Sequence, residues 1–290
     1  MSRTAIAADS NSGITLKQAK KLGAFILPMS FDVNGTQYYE GVDLKQEEFY
    51  EMISRPKTTV STTQPSPAEL QKFWRGILKE YDELVYIPMS SGLSSSCTTA
   101  SILAKDFNGR VHVVNNQRIS VTQYQSVVDA LNMAQQGRNG EYIKQRLEED
   151  KFQSSIYIMV NKLDFLKKGG RITPAAALIA NVMNLKPVLQ IQGEKLDACA
   201  KCRGMKSAKE KLLEVMHRDF DIRFKELADN GEMSLLFAYS DMSRHEAEQW
   251  RKEIERSFPG YKVEGAPLSL SIGCHIGPGS LAIACSKITK

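Results

Sequence analysis

The 290-residue sequence lacks the glycine motifs of the common nucleotide-binding folds. Neither G-x-x-x-x-G-K-[ST] nor G-x-G-x-x-G occurs, so nothing predicts a loop that wraps a phosphate chain or a dinucleotide. The G-x-S-x-G turn, which exposes the nucleophilic serine of many hydrolases, does not occur either. The sequence therefore offers no motif for a bound nucleotide or for a hydrolase of that fold.

Cysteine is also scarce. The chain has five cysteines, an odd number that is typical of reduced thiols in the cytosol. Cys199 and Cys202 form a C-x-x-C segment, but the surrounding residues predict a strand in which the two side chains would point to opposite faces. No second cysteine pair or histidine lies near enough in the sequence to complete a zinc site. We expect no metal and no cofactor.

Long uninterrupted apolar segments are missing as well. The longest run without an acidic or basic side chain other than histidine, 265–286, contains four glycines and two prolines, so it predicts loops and strands rather than a membrane span. The apolar run at 4–8 is too short for a secretory signal. The net charge is +5, and the densest basic segment, 201–211, holds only five Lys and Arg. We expect a cytoplasmic protein that does not bind nucleic acid.

Helix and strand patterns divide the chain into two parts. Up to about residue 150, short apolar strands alternate with amphipathic helices, which is typical of an α/β domain with a parallel sheet. The remainder mixes strands and helices in an α+β pattern. We therefore predict two domains, 1–152 and 153–290, and consider that the last strand, 281–286, returns to the first domain.

Individual elements follow from periodicity, turns and caps. Asn34-Gly35 predicts a hairpin within 24–44, and Ser66 with Glu69 predicts a capped helix start. The other predicted strands are 4–8, 84–88, 110–114, 154–160, 187–191, 195–201, 233–239 and 261–266. The predicted helices are 15–22, 47–53, 66–81, 94–107, 119–136, 140–149, 162–168, 173–184, a long one from 205, and 244–258.

The segment PMSSGLSSSCTTASILAKDF, residues 88–107, concentrates hydroxyl groups between a buried strand and an amphipathic helix. Ligands of parallel sheets bind outside the carboxyl ends of the strands, and the first N–H groups of a helix have no partner within it. With the hydroxyls of Ser94 and Ser95, this helix start predicts an anion site that needs no cationic side chain. The ordinary alternative is that the serines only cap the helix.

Three further positions supply groups that bind or protonate anions. Thr62 and Thr63 lie on a turn, Arg171 follows two glycines, and His275 lies in a glycine-rich stretch. Arginine binds carboxylates through two N–H groups, and a histidine that titrates near neutral pH can orient or protonate an oxyanion. Each residue also has an ordinary structural explanation as part of a turn or a helix end.

Taken together, these segments resemble the DegV family of bacterial fatty-acid-binding proteins. Six segments occur in the family's order and at about its spacings: DS at 9–10, TTQPSP at 62–67, SSGLS at 90–94, KKGGRI at 167–172, LKP at 185–187 and HIGPG at 275–279. The resemblance implies an N-terminal α/β domain with a parallel sheet, packed on a C-terminal α+β domain. It also implies a ligand tunnel, between or within the domains, that buries an acyl chain.

The resemblance implies a function and residue roles. Relatives studied as partners of fatty acid kinase bind a long-chain fatty acid, are not enzymes themselves, and present its carboxylate to a separate kinase subunit. That subunit makes acyl phosphate for phospholipid synthesis. By motif, Thr62 and Ser94 would bind the carboxylate, while Arg171 and His275 would lie beside it and assist phosphoryl transfer or kinase docking. Arg203 would face the partner.

The remaining ligand-binding candidates, Thr63, Gly92 and Ser95, belong to the same motifs, and Ser95 stands where the family often has glycine. The implied partners are a fatty acid, the kinase catalytic subunit and, transiently, a membrane, for a protein expected to be a monomer. Tyr124 falls where the family often has a glycine. If the helix that carries Tyr124 lines the tunnel, we expect Tyr124 to shorten or reroute it.

Two alternatives stay open at this point. One is a hydrolase with Ser94 as nucleophile and His275 as base. The other is a carrier of a different anionic amphiphile, in a tunnel shaped by Tyr124. If His275 holds the carboxylate as a cation, affinity is expected to weaken above its pKa.

Overall fold

The computed structural model describes residues 3–161, 163–178 and 185–290. The predicted helix positions 162 and 179–184 lie outside the described residues. The strands are β1 Thr4–Asp9, β2 Phe25–Leu27, β3 Ser30–Val33, β4 Thr36–Tyr39, β5 Val60–Thr62, β6 Glu83–Ile87, β7 Val111–Val113, β8 Ser154–Met159, β9 Leu185–Ile191, β10 Asp197–Arg203, β11 Met233–Tyr239, β12 Val263–Pro267 and β13 Leu281–Lys287. The helices are α1 Leu16–Leu22, α2 Gln46–Ser54, α3 Pro67–Ile77, α4 Ser96–Leu103, α5 Ser120–Gln135, α6 Gly140–Glu149, α7 Asp164–Gly169, α8 Pro174–Leu178, α9 Gly204–Arg218, α10 Lys225–Asp229, α11 Arg244–Ser257 and α12 Leu270–Ile276. Within these described ranges, no helix has the length and apolar character needed to cross a membrane.

The first sheet has four parallel strands in the order β2-β1-β6-β7. Its central strands, β1 and β6, are mostly apolar because helices cover both faces of the sheet. One face packs on α1, α5 and α6 around Ile6, Val85 and Met133. The other packs on α3 and α4 around Trp74 and Tyr86. The predicted parallel α/β part is confirmed.

A small antiparallel sheet, β4-β3-β5, follows the hairpin that Asn34-Gly35 predicts. Both turn residues have positive φ, +53° and +81°, as a two-residue hairpin turn requires. Strand β5 was not predicted, because three residues in a polar stretch are too few to show alternation. Its pairing with β3 places Thr62 opposite Phe31.

The second main sheet has six strands in the order β10-β9-β8-β13-β11-β12, and only the β11–β12 pair is parallel. Along β8, Ile156 and Ile158 face one core, and Tyr157 and Met159 face the other core beneath α9 and α11. Strand β13 does not return to the first sheet. It is buried on both faces and lies between β8 and β11, as suits a central strand. The domain division at residue 152 stays a prediction, although the strands of the two main sheets fall on either side of it.

Helix α12 corrects the expectation of loops and strands at 265–286. It begins after Ser269, whose hydroxyl oxygen accepts the N–H of Ile272, and it packs against α2, α7, β3 and β5. All its residues except His275 are buried, so the sequence lacks the alternation of polar and apolar faces that marks a surface helix.

The C-x-x-C prediction is wrong in one respect. Strand β10 has an extra residue between Ala198 and Ala200 relative to β9. This bulge at Cys199 interrupts the alternation of side chains, and both Cys199 and Cys202 pack against the core beneath α9 as free thiols. Among the residues that the structure describes, no group of three or more His, Cys, Asp or Glu is placed to hold a metal ion.

A buried polar cluster fastens the end of the chain to the first part. Arg118, 1% exposed, donates to Ser126 Oγ at 3.2 Å and to the carbonyl of Asp150 at 3.0 Å. Thr289 donates its N–H to Asp129 Oδ2 and its hydroxyl to Asp150 Oδ2. The nearby carboxylates of Asp129 and Asp150 offset part of the free-energy cost of burying the guanidinium. Removal of one charged member would therefore leave another buried without its partner.

Replacing Arg118 should therefore be costly. We expect Arg118→Met to lower the free energy of unfolding by about 3 kcal/mol, because Asp129 loses its nearby buried cation and the Ser126 hydroxyl and the Asp150 carbonyl lose a donor, although the Asp150 carboxylate keeps its ion pair with Lys287. Arg146→Met is the matched control, since the ion pairs between described residues join Arg146 only to Glu149, at the surface of α6, and its replacement is expected to cost less than about 1 kcal/mol. Urea unfolding at pH 7.5 measures both. Equal effects of the two substitutions would contradict the structural role of the cluster.

Candidate ligand-binding site

A cavity of about 230 Å³ lies between the six-stranded sheet and the first part of the chain. Strands β8, β9, β11 and β13 and helices α7 and α12 line it from one side. The first turn of α5 and the loops after β1, β5 and β6 line it from the other. The tunnel expected between the two parts of the protein therefore corresponds to a cavity in the structure.

Most of the cavity wall is aliphatic. The aliphatic residues are Leu93, Ile119, Val121, Ile156, Ile158, Leu166, Ile191, Leu196, Ala238, Leu268, Ile272, Ile276 and Ala282. Of the described residues that line the cavity, none is Asp or Glu. Such a wall suits an apolar chain, since each buried methylene contributes about 0.8 kcal/mol.

The cavity lies where the topology of the parallel sheet predicts a ligand. In the order β2-β1-β6-β7, successive strands are added on opposite sides of β1, so the direction of winding reverses between β1 and β6. Open α/β sheets bind ligands at this point, beyond the carboxyl ends of the strands. Asn11, which follows β1, and Met89, which follows β6, both line the cavity.

Asp9, the last residue of β1, ties these two loops together. Its fully buried carboxylate accepts the N–H of Met89 at 2.8 Å, the N–H of Asn11 at 3.1 Å and the side-chain amide of Gln123 at 3.0 Å. Burial raises the pKa of this carboxyl, and the three donors oppose the rise. The DS segment thus organises the site, a role hidden in the sequence because Met89 and Gln123 lie 80 and 114 residues further along the chain.

The cavity has a polar end, here called the mouth, where residues from distant segments lie together. Its residues are Thr62, Thr63, Ser94, Ser95, Arg171 and His275. Thr62 Oγ1, at the end of β5, lies 2.8 Å from His275 Nε2, in the last turn of α12. The neighbouring Thr63 hydroxyl lies 2.9 Å from the hydroxyl of Ser30. The predicted threonine turn and the predicted histidine therefore meet.

His275 is a neutral member of the mouth. Burial, reinforced by the nearby Arg171 guanidinium, lowers the pKa of His275 to about 4. The imidazole of the protein by itself is uncharged near pH 7, so a cationic role toward an anion would require the bound carboxylate to raise the pKa of His275, and that role stays a prediction. Among the described residues that line the cavity, Arg171 is the cationic one.

The KKGGRI segment meets two separate requirements. Gly170 ends α7 in the left-handed conformation, φ +67°, and its N–H donates to carbonyls of the last turn. A Cβ on Gly169 would lie 2.3 Å from His275 Nδ1, so only glycine lets α12 approach α7 there. Arg171 Nε donates to the carbonyl of Leu93 at 3.2 Å, and no ion pair between described residues involves this guanidinium.

The serine cluster forms the opposite rim of the mouth. Helix α4 begins at Ser96 rather than at Ser94, and Ser94 Oγ accepts the N–H of Ser96 at 3.2 Å. Ser95 is exposed and donates its hydroxyl to Gln64 Oε1 at 3.2 Å; Thr99 donates to the same oxygen at 3.1 Å. Gln64 thereby joins the threonine turn to α4.

Gly92 serves backbone packing rather than the cavity, whose described lining residues do not include it. A Cβ at Gly92 would lie 2.6 Å from Glu194 Cα. Next to it, the Ser90 hydroxyl donates to the carbonyl of Gly193 at 2.8 Å. The loop after β6 and the β9–β10 turn thus meet at a distance that only glycine allows.

Besides Gly92, two predicted residues do not reach the cavity. Ser120 and Val121 are the residues of α5 that line the wall, and Ile119 lies directly before the helix. Tyr124, in the next turn, packs instead against the core of the four-stranded sheet. Tyr124 therefore does not border the cavity, and the condition on which it was expected to shorten or reroute the tunnel is not met. Arg203 ends β10 as an exposed residue and does not line the cavity, so its role toward a partner stays a prediction.

Several lining residues were not predicted from the sequence, namely Asn11, Met29, Gln64, Ser120 and Ser271. Asn11 Oδ1 accepts the Ser271 hydroxyl at 2.8 Å across the two parts of the chain. The one sequence signal near Asn11 was the DS segment at 9–10, directly before it. Ser120 has a positive φ, +54°, which its residue type does not predict.

The geometry does not support a hydrolase built on Ser94 and His275. The hydrogen bonds of the described residues join His275 to Thr62 and Ser94 Oγ to the N–H of Ser96, rather than to each other. The second ring nitrogen of His275 faces Gly169 instead of an orienting carboxylate. A catalytic serine needs both the contact with its base and that orienting group.

Comparison with known proteins identifies the family. A family model described as an uncharacterised protein of the DegV family matches residues 3–287. The chain belongs to the DegV family. A DegV domain-containing protein of Deinococcus radiodurans is 33% identical over 214 residues, covering 74% of this chain and 76% of that protein. A DegV domain-containing protein of Caldanaerobacter subterraneus is 28% identical over 98% of both chains.

Solved DegV structures share the whole architecture. A DegV family protein from Thermus thermophilus, described as fatty acid binding, matches with a TM-score of 0.86 at 27% identity over 98% of this chain and 99% of that chain. A stearic-acid-binding protein from Eubacterium ventriosum matches with a TM-score of 0.87 at 22% identity over 99% of both chains, which shows the shared fold. The predicted DegV fold is confirmed.

The close contact at Gly92 can be tested by adding one methyl group. We expect Gly92→Ala to lower the free energy of unfolding by about 2 kcal/mol, because the new Cβ meets the backbone of Glu194. Gly76→Ala is the control. Gly76 lies inside α3 with no heavy atom within 4 Å of a built Cβ, and alanine there should stabilise by up to about 1 kcal/mol. Thermal and urea unfolding of both variants decide between these outcomes.

The lowered pKa of His275 predicts how stability depends on pH. Between about pH 6.5 and its native pKa of about 4, the unfolded state binds a proton at His275 that the native state does not. The stabilising contribution is full above about pH 6.5 and is lost as the pH falls toward 4. We expect the free energy of unfolding to drop between pH 7 and 4.5 by about 2 kcal/mol more for the wild type than for His275→Gln.

Urea unfolding at a series of pH values measures this difference. His245→Gln is the control, because His245 is an exposed residue of α11 and its replacement should leave the pH profile of the wild type unchanged. Parallel profiles for the wild type and His275→Gln would show that His275 is not held neutral.

Proposed function

We propose that this protein binds a long-chain fatty acid, with the acyl chain in the cavity and the carboxylate at the mouth. The proposal depends on the observation that one cavity has both an aliphatic wall and a polar, cationic end. Its body is aliphatic and, among the described residues, free of acids, whereas its mouth contains Arg171, Thr62 and Ser94. An anionic amphiphile satisfies both surfaces at once. The Thermus thermophilus relative, described as fatty acid binding, supports this ligand class.

The hydrogen bonds at the mouth suggest how the carboxylate is held. A neutral His275 with its proton on Nε2 donates to Thr62 Oγ1, which frees the Thr62 hydroxyl proton for a carboxylate oxygen. Ser94 Oγ already accepts the N–H of Ser96, so its own proton is also available. Arg171 supplies the positive charge.

The mouth also suits delivery of the carboxylate to another protein. Thr63, Gln64 and Ser95 surround it and are exposed, so the head group lies near the surface. In the proposed scheme a monomeric carrier presents the carboxylate to a fatty acid kinase subunit. Arg171 and His275 would border the oxygen that is phosphorylated, and the exposed Arg203 would contact the kinase subunit.

Mass spectrometry of gently purified protein, under native conditions and after organic extraction, tests the ligand. We expect one fatty acid per chain, or uptake of one equivalent of palmitate after delipidation. A protein that carries no lipid and takes up no added fatty acid would contradict the proposal.

Substitution of Thr62 tests the proposed head-group contact in the same assay. We expect Thr62→Val to weaken palmitate binding by about ten-fold, because the isosteric side chain removes a hydrogen bond to a charged group. Thr98→Val is the control, since Thr98 is exposed on α4 and does not line the cavity. Unchanged affinity of Thr62→Val, by calorimetry on delipidated protein, would remove Thr62 from the site.

A further inference from the structure

A second cavity, of about 690 Å³, opens beside the mouth, and we call it the outer cleft. Thr62, Arg171 and His275 line both the outer cleft and the acyl-chain cavity. Together with Ile276, which also lines both, these residues form a shared wall between the two spaces. A group attached to the head of a bound ligand would extend past this wall into the outer cleft.

The outer cleft differs from the inner cavity in charge. Arg55, Lys57 and Lys168 line it together with Arg171, and Asp164 is the acidic side chain among its described lining residues. Arg55 already pairs with a glutamate one turn earlier in α2. No ion pair between residues in the described ranges involves Lys57 or Lys168, so both amines are available to an anion.

The backbone that carries Lys57 has an unusual conformation. Its φ is +64°, in the left-handed region that glycine and asparagine favour and lysine rarely adopts. Such outliers persist where the surrounding structure imposes them, and they concentrate at ligand sites. The same segment leads into β5, whose Ser61 and Thr62 add hydroxyl groups to the cleft wall.

We propose that the outer cleft binds a phosphate group directly beyond the carboxylate position, through Lys57, Lys168 and Arg171. A phosphate monoester at neutral pH carries close to two negative charges and three acceptor oxygens, which matches several cations better than a single carboxylate does. The phosphate is carried either by an amphiphile whose chain fills the inner cavity or by a free polyphosphate. The chain-borne form rests on the proposed fatty-acid site, and the free form does not.

Calorimetry on the delipidated full-length protein tests this assignment with three probes: palmitate, hexadecyl phosphate, and tripolyphosphate added to palmitate-treated protein. The test variant is Lys57→Gln/Lys168→Gln. The control variant is Lys79→Gln/Lys105→Gln, which removes the same charge from two exposed lysines that line neither cavity.

We expect the wild type and the control variant to bind a phosphate probe, and the test variant to bind it about ten-fold more weakly. Palmitate affinity should change by less than about two-fold, because Lys57 and Lys168 lie outside the inner cavity. If the test variant loses affinity for hexadecyl phosphate, the phosphate is carried by an apolar chain. If it loses affinity for tripolyphosphate, the phosphate is a free polyphosphate.

The outcomes separate this inference from the proposed function. If palmitate binds but neither phosphate probe binds, or neither responds to the test variant, the phosphate site is wrong and the fatty-acid proposal stands. If palmitate does not bind while a phosphate probe binds through the two lysines, the phosphate site stands and the fatty-acid proposal fails. If no probe binds, both are wrong.

Discussion

The position of α12 between the two parts of the chain is the constraint on which the ligand site depends. The carboxylate of Glu40, from the turn after β4, accepts the N–H groups of the first two residues of this helix at 2.8 and 3.0 Å. Burial raises the pKa of Glu40 to about 7, and these bonds oppose the rise. Gly273 lets the helix lie against Tyr50, whose Oη would be 2.8 Å from a Cβ at that position. The helix then leads into β13 at the centre of the six-stranded sheet. Because both sides hold α12, His275 is brought to Thr62.

The charge distribution of the site follows from the same burial. An imidazolium in this position would lose much of its hydration next to a guanidinium, so the neutral form of His275 is favoured. Among the described lining residues, the mouth therefore has one cation and several hydroxyl groups, and the aliphatic body of the cavity has no charged side chain. Because the charged group lies at the mouth, the rest of the cavity stays apolar. Beyond the mouth, the outer cleft carries most of the positive charge, where water still screens it.

Local sequence signals predicted much of the fold. The Asn34-Gly35 turn, the Ser66 capping box and the alternation of apolar segments with helical periods match the observed hairpin, α3 and the parallel sheet. The three failures have different physical causes. Helix α12 is buried on nearly all sides and has no polar face to mark it, and β5 is too short to alternate. The bulge at Cys199 depends on its pairing with β9, which the sequence of β10 alone does not show.

For the candidate site, the sequence by itself determined the chemical groups and the order of the motifs that carry them. The sequence shows the hydroxyl groups of Thr62 and Ser94, the glycine pair before Arg171, and a histidine before a glycine-rich turn. The tertiary structure decided which groups meet and in which charge state. Thr62 and His275 are 213 residues apart, and the neutrality of His275 follows from its burial. Tyr124 faces a different core because only the first turn of α5 borders the cavity. The physical reason is that proximity and desolvation arise from packing between distant segments, and neither is a property of any one of them.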